Sequence, residues 1–230
     1  MESIDKVKGT YEKKIADLDK NPVSDAVIRR LPRYHRYLGE LLRQGKLRIS
    51  SAELSAIMDV TASQIRQDFN CFGGFGQQGY GYNIKYLYGK IGELLGVAEG
   101  YRAVIVGAGK LGRALAATRM FSRRGVTSVA LFDVDESVIG TEFNGLKVYH
   151  VSELGDFCRK NNVQIGVLTV PKESAYDCAK ALVEAGVRGI WNFANMELVV
   201  EESDVVVQDV HLGDSLMTLC YGMKKKGEKR

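Results

Sequence analysis

Arg102–Leu115 reads RAVIVGAGKLGRAL: an apolar strand, a glycine turn and the opening of a helix. The turn, Gly107-Ala108-Gly109-Lys110-Leu111-Gly112, has GxGxxG spacing. Such a turn alone also packs α/β sheets that bind nothing. Here an apolar strand, Ala103–Val106, runs straight into it and a helix leaves straight from it. Asp133 then closes the next apolar strand, SVALFDVD, about 20 residues further on. In that context each glycine has a task. Gly107 permits the tight turn, Gly109 lets the backbone approach a pyrophosphate, and Gly112 lets helix and strand pack closely. The pyrophosphate would rest on the helix N-terminus and its positive dipole. Asp133 is placed for the adenine ribose hydroxyls. Its charge repels a 2′-phosphate and Val134 beside it offers no cation, so NAD+/NADH is expected rather than the phosphorylated coenzyme. Lys110, inside the loop, is within reach of a phosphate.

Downstream the rhythm continues. VQIGVLTVP and RGIWNFA are strands, each after a helical stretch (Ser152 to Lys160, then Glu173 to Ala185), and VVVQDV from Val205 is the last. Apolar strands alternating with helices predict a parallel sheet covered on both faces. Ligands of such sheets bind beyond the strand C-termini. That places the nicotinamide end near Thr169-Val170-Pro171 and Asn192-Phe193-Ala194-Asn195. Leu212–Met223 reads as a terminal helix and KKKGEKR as a solvated tail.

Upstream, residues 1–23 form an extension whose Ile4, Val7, Tyr11, Ile15 and Leu18 recur at helical spacing; a short amphipathic helix and a frayed tail both fit. From Ser24, a good N-cap, Ile28, Leu31, Leu38, Leu41 and Leu42 share a helical face, and Pro32 demands a kink or a late start. Ser50-Ser51-Ala52-Glu53 reads as a cap with an acid in the first turn, opening a short helix to Met58 with Leu54 and Ile57 inward. Asp59-Val60 is a turn. Thr61 caps a further helix, Ala62 to about Asn70, with Ile65 and Phe69 inward. CFGGFGQQGYGY, 71–82, is too glycine-rich for a helix and reads as a tight hairpin. Three helices and such a hairpin are the parts of a winged helix-turn-helix. Lys85–Leu95 would be a connector helix.

The domains expected are therefore an extension over 1–23, a winged helix over 24–84, a connector over 85–100, a Rossmann domain over 101–211, a C-terminal helix over 212–223 and a basic tail over 224–230. The fold class is α/β. In this arrangement Thr61–Asn70 is the recognition helix for a major groove, presenting Ser63, Gln64, Arg66, Gln67 and Asn70. Arg29, Arg30 and Arg33, with Lys46 and Arg48, would hold phosphates. The wing tip, Gln77-Gln78 between Gly76 and Gly79, would enter the minor groove.

Charge supports this placement. The net charge is only +4, but between Asn21 and Lys90 ten basic residues face five acidic ones. That surplus suits a polyanion such as double-stranded DNA. The four cysteines, Cys71, Cys158, Cys178 and Cys220, form no CxxC and no metal-ligand spacing with a histidine, so free thiols and no metal are expected. No apolar run reaches the length of a membrane span and the start, MESIDKVKGTYEKK, is charged; a cytoplasmic location is expected.

RRLPRYHRYLGELL, ISSAELSAIMDVTASQIRQDF, the FGGFG–GYGY wing, VIVGAGKLGRALA, FDVDESVIG, LTVPKESA and GIWNFA together resemble the redox-sensing transcriptional repressors of the Rex family. The resemblance runs from about Ser24 to Tyr221, in the same order in both domains. It implies a homodimer, an inverted-repeat operator, release of DNA when NADH replaces NAD+, and exchange of the C-terminal helix, here Leu212–Met223, between subunits. It also implies a state-dependent network of an arginine of the first helix, a tyrosine after the glycine helix and an aspartate before the exchanged helix. Arg36 matches the arginine, while Thr118 and His211 occupy the other two positions. Arg36 cannot form with His211 the charge-assisted pair it would form with an aspartate. That leaves open a switch built on Asp209 or Asp214 and one triggered by something other than NADH. Gln67 and Gln78 stand where the family usually carries a lysine and a basic wing tip, which implies weaker phosphate attraction and a distinct operator. The runner-up, an NAD-dependent dehydrogenase with an appended helical domain, lacks a substrate domain. It also has no histidine in the expected nicotinamide loops.

Overall fold

The computed structural model describes residues 24–71, 76–77, 81–200 and 204–227. The expected helix of the N-terminal extension and the wing-tip residue Gln78 lie outside them. The chain divides into two compact units, Met1–Ala98 and Glu99–Arg230.

The first unit opens with α1 (Asp25–Ile28) and α2 (Leu31–Arg43). Of the two readings left open at Pro32, the helix starts anew: Pro32 lies in the first turn of α2, where its missing N–H is no loss. Ser24 is extended as a cap should be, yet its side chain makes no capping bond. Next come β1 (Arg48–Ile49), α3 (Ser51–Met58) and α4 (Ala62–Asn70). Ser50 and Glu53 close a reciprocal capping box at the start of α3, and Thr61 Oγ1 accepts from Gln64 N at 3.1 Å at the start of α4. Asp59 adopts the left-handed conformation between them. The inward residues of α3 are Leu54 and Met58; Ile57 is exposed, contrary to expectation, because i and i+4 share a face where i+3 here turns outward. Strands β2 (Gly76–Gln77) and β3 (Gly81–Asn83) follow, and the three strands form a small antiparallel sheet in the order β1-β3-β2. Gly81 has φ +70°, and a Cβ there would lie 2.9 Å from the Ile49 carbonyl, so the wing returns through a position only glycine fills. Helix α5 (Ile84–Leu94), expected as a connector, buries Ile84, Leu87 and Ile91 in the same core as Tyr34, Leu38, Met58 and Phe69.

The second unit is a seven-stranded sheet in the order β10-β9-β8-β4-β5-β7-β6. Its strands are β4 (Tyr101–Val106), β5 (Val126–Asp133), β6 (Glu142–Phe143), β7 (Leu146–His150), β8 (Ile165–Leu168), β9 (Gly189–Asn192) and β10 (Val206–Asp209). All pairings are parallel except β6 with β7. The helices are α6 (Lys110–Ala117), α7 (Leu154–Lys160), α8 (Lys172–Glu184) and α9 (Leu212–Gly227). Alternate residues of β4 point to opposite faces. Val104 and Val106 pack with Leu154, Cys158 and Leu182 of α7 and α8, while Ile105 packs with Ala116 of α6 and with Phe121. Both faces are therefore covered, which is why the strands read as unbroken apolar runs.

Two elements differ from expectation. The β6–β7 hairpin was not foreseen, although its Asn144-Gly145 turn, with φ +53° and +80°, is a strong hairpin signal. Helix α9 does not stop at Met223; it continues through Lys224–Lys226 to Gly227, since lysines suit a helix C-terminus.

Candidate coenzyme and nucleic-acid sites

The chain runs outward from β4 through β5 and β7, then returns to β8 on the other side of β4. This reversal opens a crevice at the strand C-termini, where open α/β sheets bind ligands. The β4–α6 corner lies there. Gly107 has φ +102°, and a Cβ on it would come 2.6 Å from the Thr169 carbonyl oxygen. A Cβ on Gly112 would come 1.9 Å from the Gly107 oxygen. A Cβ on Gly109 would meet nothing within 4 Å. Two glycines are thus fixed by the protein's own packing, while the third faces open space, as close approach of a ligand to the backbone requires.

Asp133, at the end of β5, already holds the corner. Its Oδ2 accepts from Ala108 N at 2.6 Å, and its Oδ1 from Val134 N at 2.8 Å and Asp135 N at 3.1 Å. A carboxylate accepts about four hydrogen bonds, so one position remains for a ribose hydroxyl. Thr169 Oγ1 donates to the Gly107 carbonyl at 2.8 Å and lies 3.1 Å from that of Val106, tying β8 to the same corner. A cavity of about 390 Å³ opens here, lined by Gly107, Gly109, Asp133, Val134, Thr169 and Pro171 among others. Its size and mostly apolar walls fit the adenosine half of a dinucleotide. Lys110 and Leu111 are exposed beside it.

The Thr169–Pro171 turn, expected at the nicotinamide end, therefore shares the cavity with Asp133, expected at the ribose. Asn192, Phe193 and Ala194 do not line it. Asn192 is fully buried, and its amide is committed to Met196 O at 3.0 Å and Asp209 Oδ1 at 2.7 Å. Phe193 is half-buried, edge-on to Trp191 with ring centroids 4.6 Å apart. Several cavity residues were not among those expected: Val151 follows the end of β7, and Ser174, Asp177 and Cys178 come from α8, which folds over this face. Burial raises the Cys178 thiol above its ordinary value, with Asp177 adding to the effect, so it is a wall rather than a nucleophile. Arg113 was also missed. Its Nε donates to Ala108 O at 2.6 Å while its guanidinium lies 4.1 Å over the Phe143 ring. Asn144 Nδ2 donates to Ala116 O at 2.9 Å. The unforeseen hairpin thus braces both ends of α6.

In the first unit, α3, the Asp59–Thr61 turn and α4 form a helix-turn-helix with the wing beside it. Ser63, Arg66, Gln67 and Asn70 are exposed on α4, and Arg66 Nη1 donates to Ser51 Oγ at 3.2 Å. Three of the expected DNA contacts, Arg30, Gln64 and Arg33, are used otherwise. Arg30 donates through Nε and Nη2 to the Asp68 carboxylate at 2.7 and 2.8 Å, and Gln64 Nε2 donates to it at 2.8 Å. Tyr34 Oη completes the set at 2.7 Å. Burial alone would raise the Asp68 carboxyl, but its three donors outweigh that and hold it below its ordinary value. The same burial and the Asp68 carboxylate push the Tyr34 phenol far up. Arg33 donates to the Met58 carbonyl, closing the end of α3. Arg29 and Arg48 are exposed, Lys46 pairs with Glu53 at 2.8 Å, and Gln77 sits in β2 opposite Gly81. Lys46 and the Ser50 cap draw the Glu53 carboxyl down to about 2.

Of the expected switch residues, Arg36 is exposed on α2 with its guanidinium 5.2 Å from the centroid of Tyr37. Thr118 donates to Leu115 O at 2.9 Å as the C-cap of α6. His211 is half-buried before α9, and its carbonyl accepts from Asp214 N. No hydrogen bond joins Thr118 to His211 among the described residues.

Comparison with known proteins agrees with both units. A family model described as "Putative DNA-binding protein N-terminus" matches residues 22–70, and one described as "CoA binding domain" matches 98–196. The redox-sensing transcriptional repressor Rex of Caldicellulosiruptor saccharolyticus is 52% identical over 207 residues, 90% of this chain and 94% of its own. That of Clostridium botulinum (strain Alaska E43 / Type E3) is 49% identical over 210 residues, covering 91% and 100%. Among solved structures, RSP in complex with β-NAD+ and operator DNA superimposes with a TM-score of 0.83 at 48% identity, covering 89% of this chain and 94% of that one. RSP with β-NADH gives 0.83 at 44% identity, covering 90% and 97%.

Proposed function

The chain belongs to the Rex family of redox-sensing transcriptional repressors, and from that membership we propose how its own residues divide the work. It is a DNA-binding repressor whose operator binding responds to NAD(H), and it is not an enzyme. The coenzyme is held at the β4–α6 corner: pyrophosphate on the Gly107–Gly112 backbone, with Lys110 and Leu111 at its edge, and adenosine between Asp133, Val134 and the Thr169–Pro171 turn. The nicotinamide end lies against Asn192–Ala194, contacting Phe193 and the backbone. The observation that carries this reading is the Gly109 position, open where its two neighbouring glycines are packed tight.

On the DNA side, Ser63, Arg66 and Gln67 read base edges while Arg29, Lys46 and Arg48 hold phosphates, with Gln77 and Gln78 on the wing. Arg30 and Gln64 hold the recognition helix instead of touching DNA. The protein works as a homodimer on an inverted repeat in the cytoplasm, its domains divided as the sequence suggests, with α9 exchanged between subunits. Support for the exchange comes from α9 itself. Leu212, Leu216, Met217, Leu219, Tyr221 and Met223 are all exposed, and no residue of α9 is buried within the single chain. An apolar helix of this length calls for a partner. No helix of the described residues is long and apolar enough to cross a membrane.

Coenzyme redox state acts by differential affinity for two dimer arrangements, which set the spacing of the two winged helices. Arg36, Thr118 and His211 respond to that change. Labelled operator titrated with the dimer in NAD+, in NADH and in neither tests the reading. Binding at least tenfold weaker in NADH than in NAD+ is expected. Identical affinities would leave DNA binding intact but remove the redox response.

A further inference from the structure

We propose that the Asn192–Asp209 hydrogen bond is the positioning element through which the bound coenzyme acts on the base of α9. This rests on the reading above that the nicotinamide end lies against the turn after β9. Asn192 ends β9 and Asp209 ends β10, and the two are register partners. The Asn192 amide nitrogen donates to Asp209 Oδ1 at 2.7 Å and to Met196 O at 3.0 Å, while its Oδ1 accepts from Ala194 N at 2.9 Å. The same Asp209 oxygen accepts from Leu198 N at 3.4 Å. One carboxylate oxygen therefore holds both ends of the turn 192–198. Val210 N donates to Asn192 O at 2.8 Å, and Phe193 N to Leu168 O at 2.8 Å, so the turn is also fixed to β10 and β8.

Asp209 stands just before His211 and the first residue of α9, Leu212. Asn192 is fully buried, so its amide has no water to replace a lost acceptor. A coenzyme that displaces the turn must either break this bond, at the full cost of desolvation, or carry the end of β10 with it. The second route moves the root of the helix assigned to the partner subunit. The coupling needs no charge at position 211, which accounts for a functioning switch with His211 in place of an acid.

The test uses the full-length dimer and one ratio: operator Kd in saturating NADH divided by operator Kd in saturating NAD+. Asn192→Asp sets two carboxylates face to face and breaks the bond; adding Asp209→Asn restores this one bond with donor and acceptor exchanged, while Met196 O and Leu198 N lose their partners. The ratio is expected to fall at least threefold in Asn192→Asp and to recover by at least twofold in the double variant. Asp209→Ala should lower the ratio equally, with NADH affinity of the free dimer and operator affinity without coenzyme each within twofold of wild type. A ratio unchanged in Asn192→Asp and Asp209→Ala, one no higher in the double variant than in Asn192→Asp, or one that falls only in proportion to NADH binding, would overturn the proposal. Phe193→Ala checks the underlying reading separately. NADH affinity should drop at least threefold, and an unchanged affinity removes the nicotinamide from this turn whatever the Asp209 variants show.

Discussion

Asp68 in the first unit and Asn192 in the second are both fully buried polar side chains, and they are buried in different ways. Asp68 is an anion held by a bidentate arginine and a phenol from the start of α2 and by an amide of its own helix. Asn192 is a neutral amide bonded to backbone groups of its own turn and to one neighbouring strand. A charge pair out of water tolerates little displacement, because losing either partner strands the other. A neutral amide shares its bonds over a short turn and can shift with it. On the proposed reading the recognition helix meets DNA rigid, whereas the turn after β9 answers the coenzyme. The glycines follow the same division: Gly81 fixes the wing by close packing, while Gly109 leaves a surface open for a ligand.

The largest effect expected is from Asp68→Ala. It leaves the buried Tyr34 hydroxyl and the Arg30 guanidinium, 27% exposed, without their acceptor. A loss of about 3 kcal/mol is expected in the urea unfolding of the first unit, together with loss of operator binding. A loss below about 1 kcal/mol would break the contrast with Asn192.

Acid sharpens it. The Asp68 carboxyl is held below its ordinary value in the folded chain. Its contribution is thus complete above about pH 4 and disappears as pH falls through the lowered folded-state value. The first unit should lose stability in that window. The same acid leaves the Asn192 amide uncharged, so Asp68→Asn should flatten the first unit's acid slope and Asn192→Leu should not.

Glycine substitutions reverse the ranking in the second unit. Gly112→Ala drives a methyl into the Gly107 carbonyl and should cost about 2 kcal/mol of its stability, read by thermal unfolding. Gly109→Ala should change stability by less than about 0.5 kcal/mol, since its φ of −73° suits alanine and its Cβ faces open space. It should nevertheless weaken coenzyme binding about tenfold by occupying the approach to the pyrophosphate. Equal coenzyme affinity in Gly109→Ala and wild type would place the ligand elsewhere.

The smallest effect tests the exposed face of α4. Gln67→Lys adds one cation beside DNA, and the slope of log K against log salt should steepen by about 0.9. An unchanged slope would take Gln67 away from the DNA.

What could be read from the sequence follows from distance along the chain. The caps at Ser50 and Thr61, the turn at Asp59 and the glycine corner are local, and each residue type states its own backbone requirement. The Asp68 network joins residues 38, 34 and 4 positions apart, so Arg30 passed for a phosphate contact and Gln64 for a base contact. The i+3 spacing from Leu54 puts Ile57 inward, but packing takes Met58 at i+4 instead. The β6–β7 hairpin is legible in its Asn144-Gly145 pair. The α8 wall of the cavity at the β4–α6 corner is not, because nothing between Lys172 and Glu184 names a ligand until the return from β7 to β8 lays that helix across the crevice.

Coupling between sites is reciprocal, so the coenzyme must sense the operator as strongly as the operator senses the coenzyme. Calorimetric titration of NADH into the free dimer and into the dimer saturated with operator measures this directly. An affinity at least tenfold weaker for the operator-bound dimer is expected. The same NADH affinity in both would contradict a repressor switched from the β4–α6 corner.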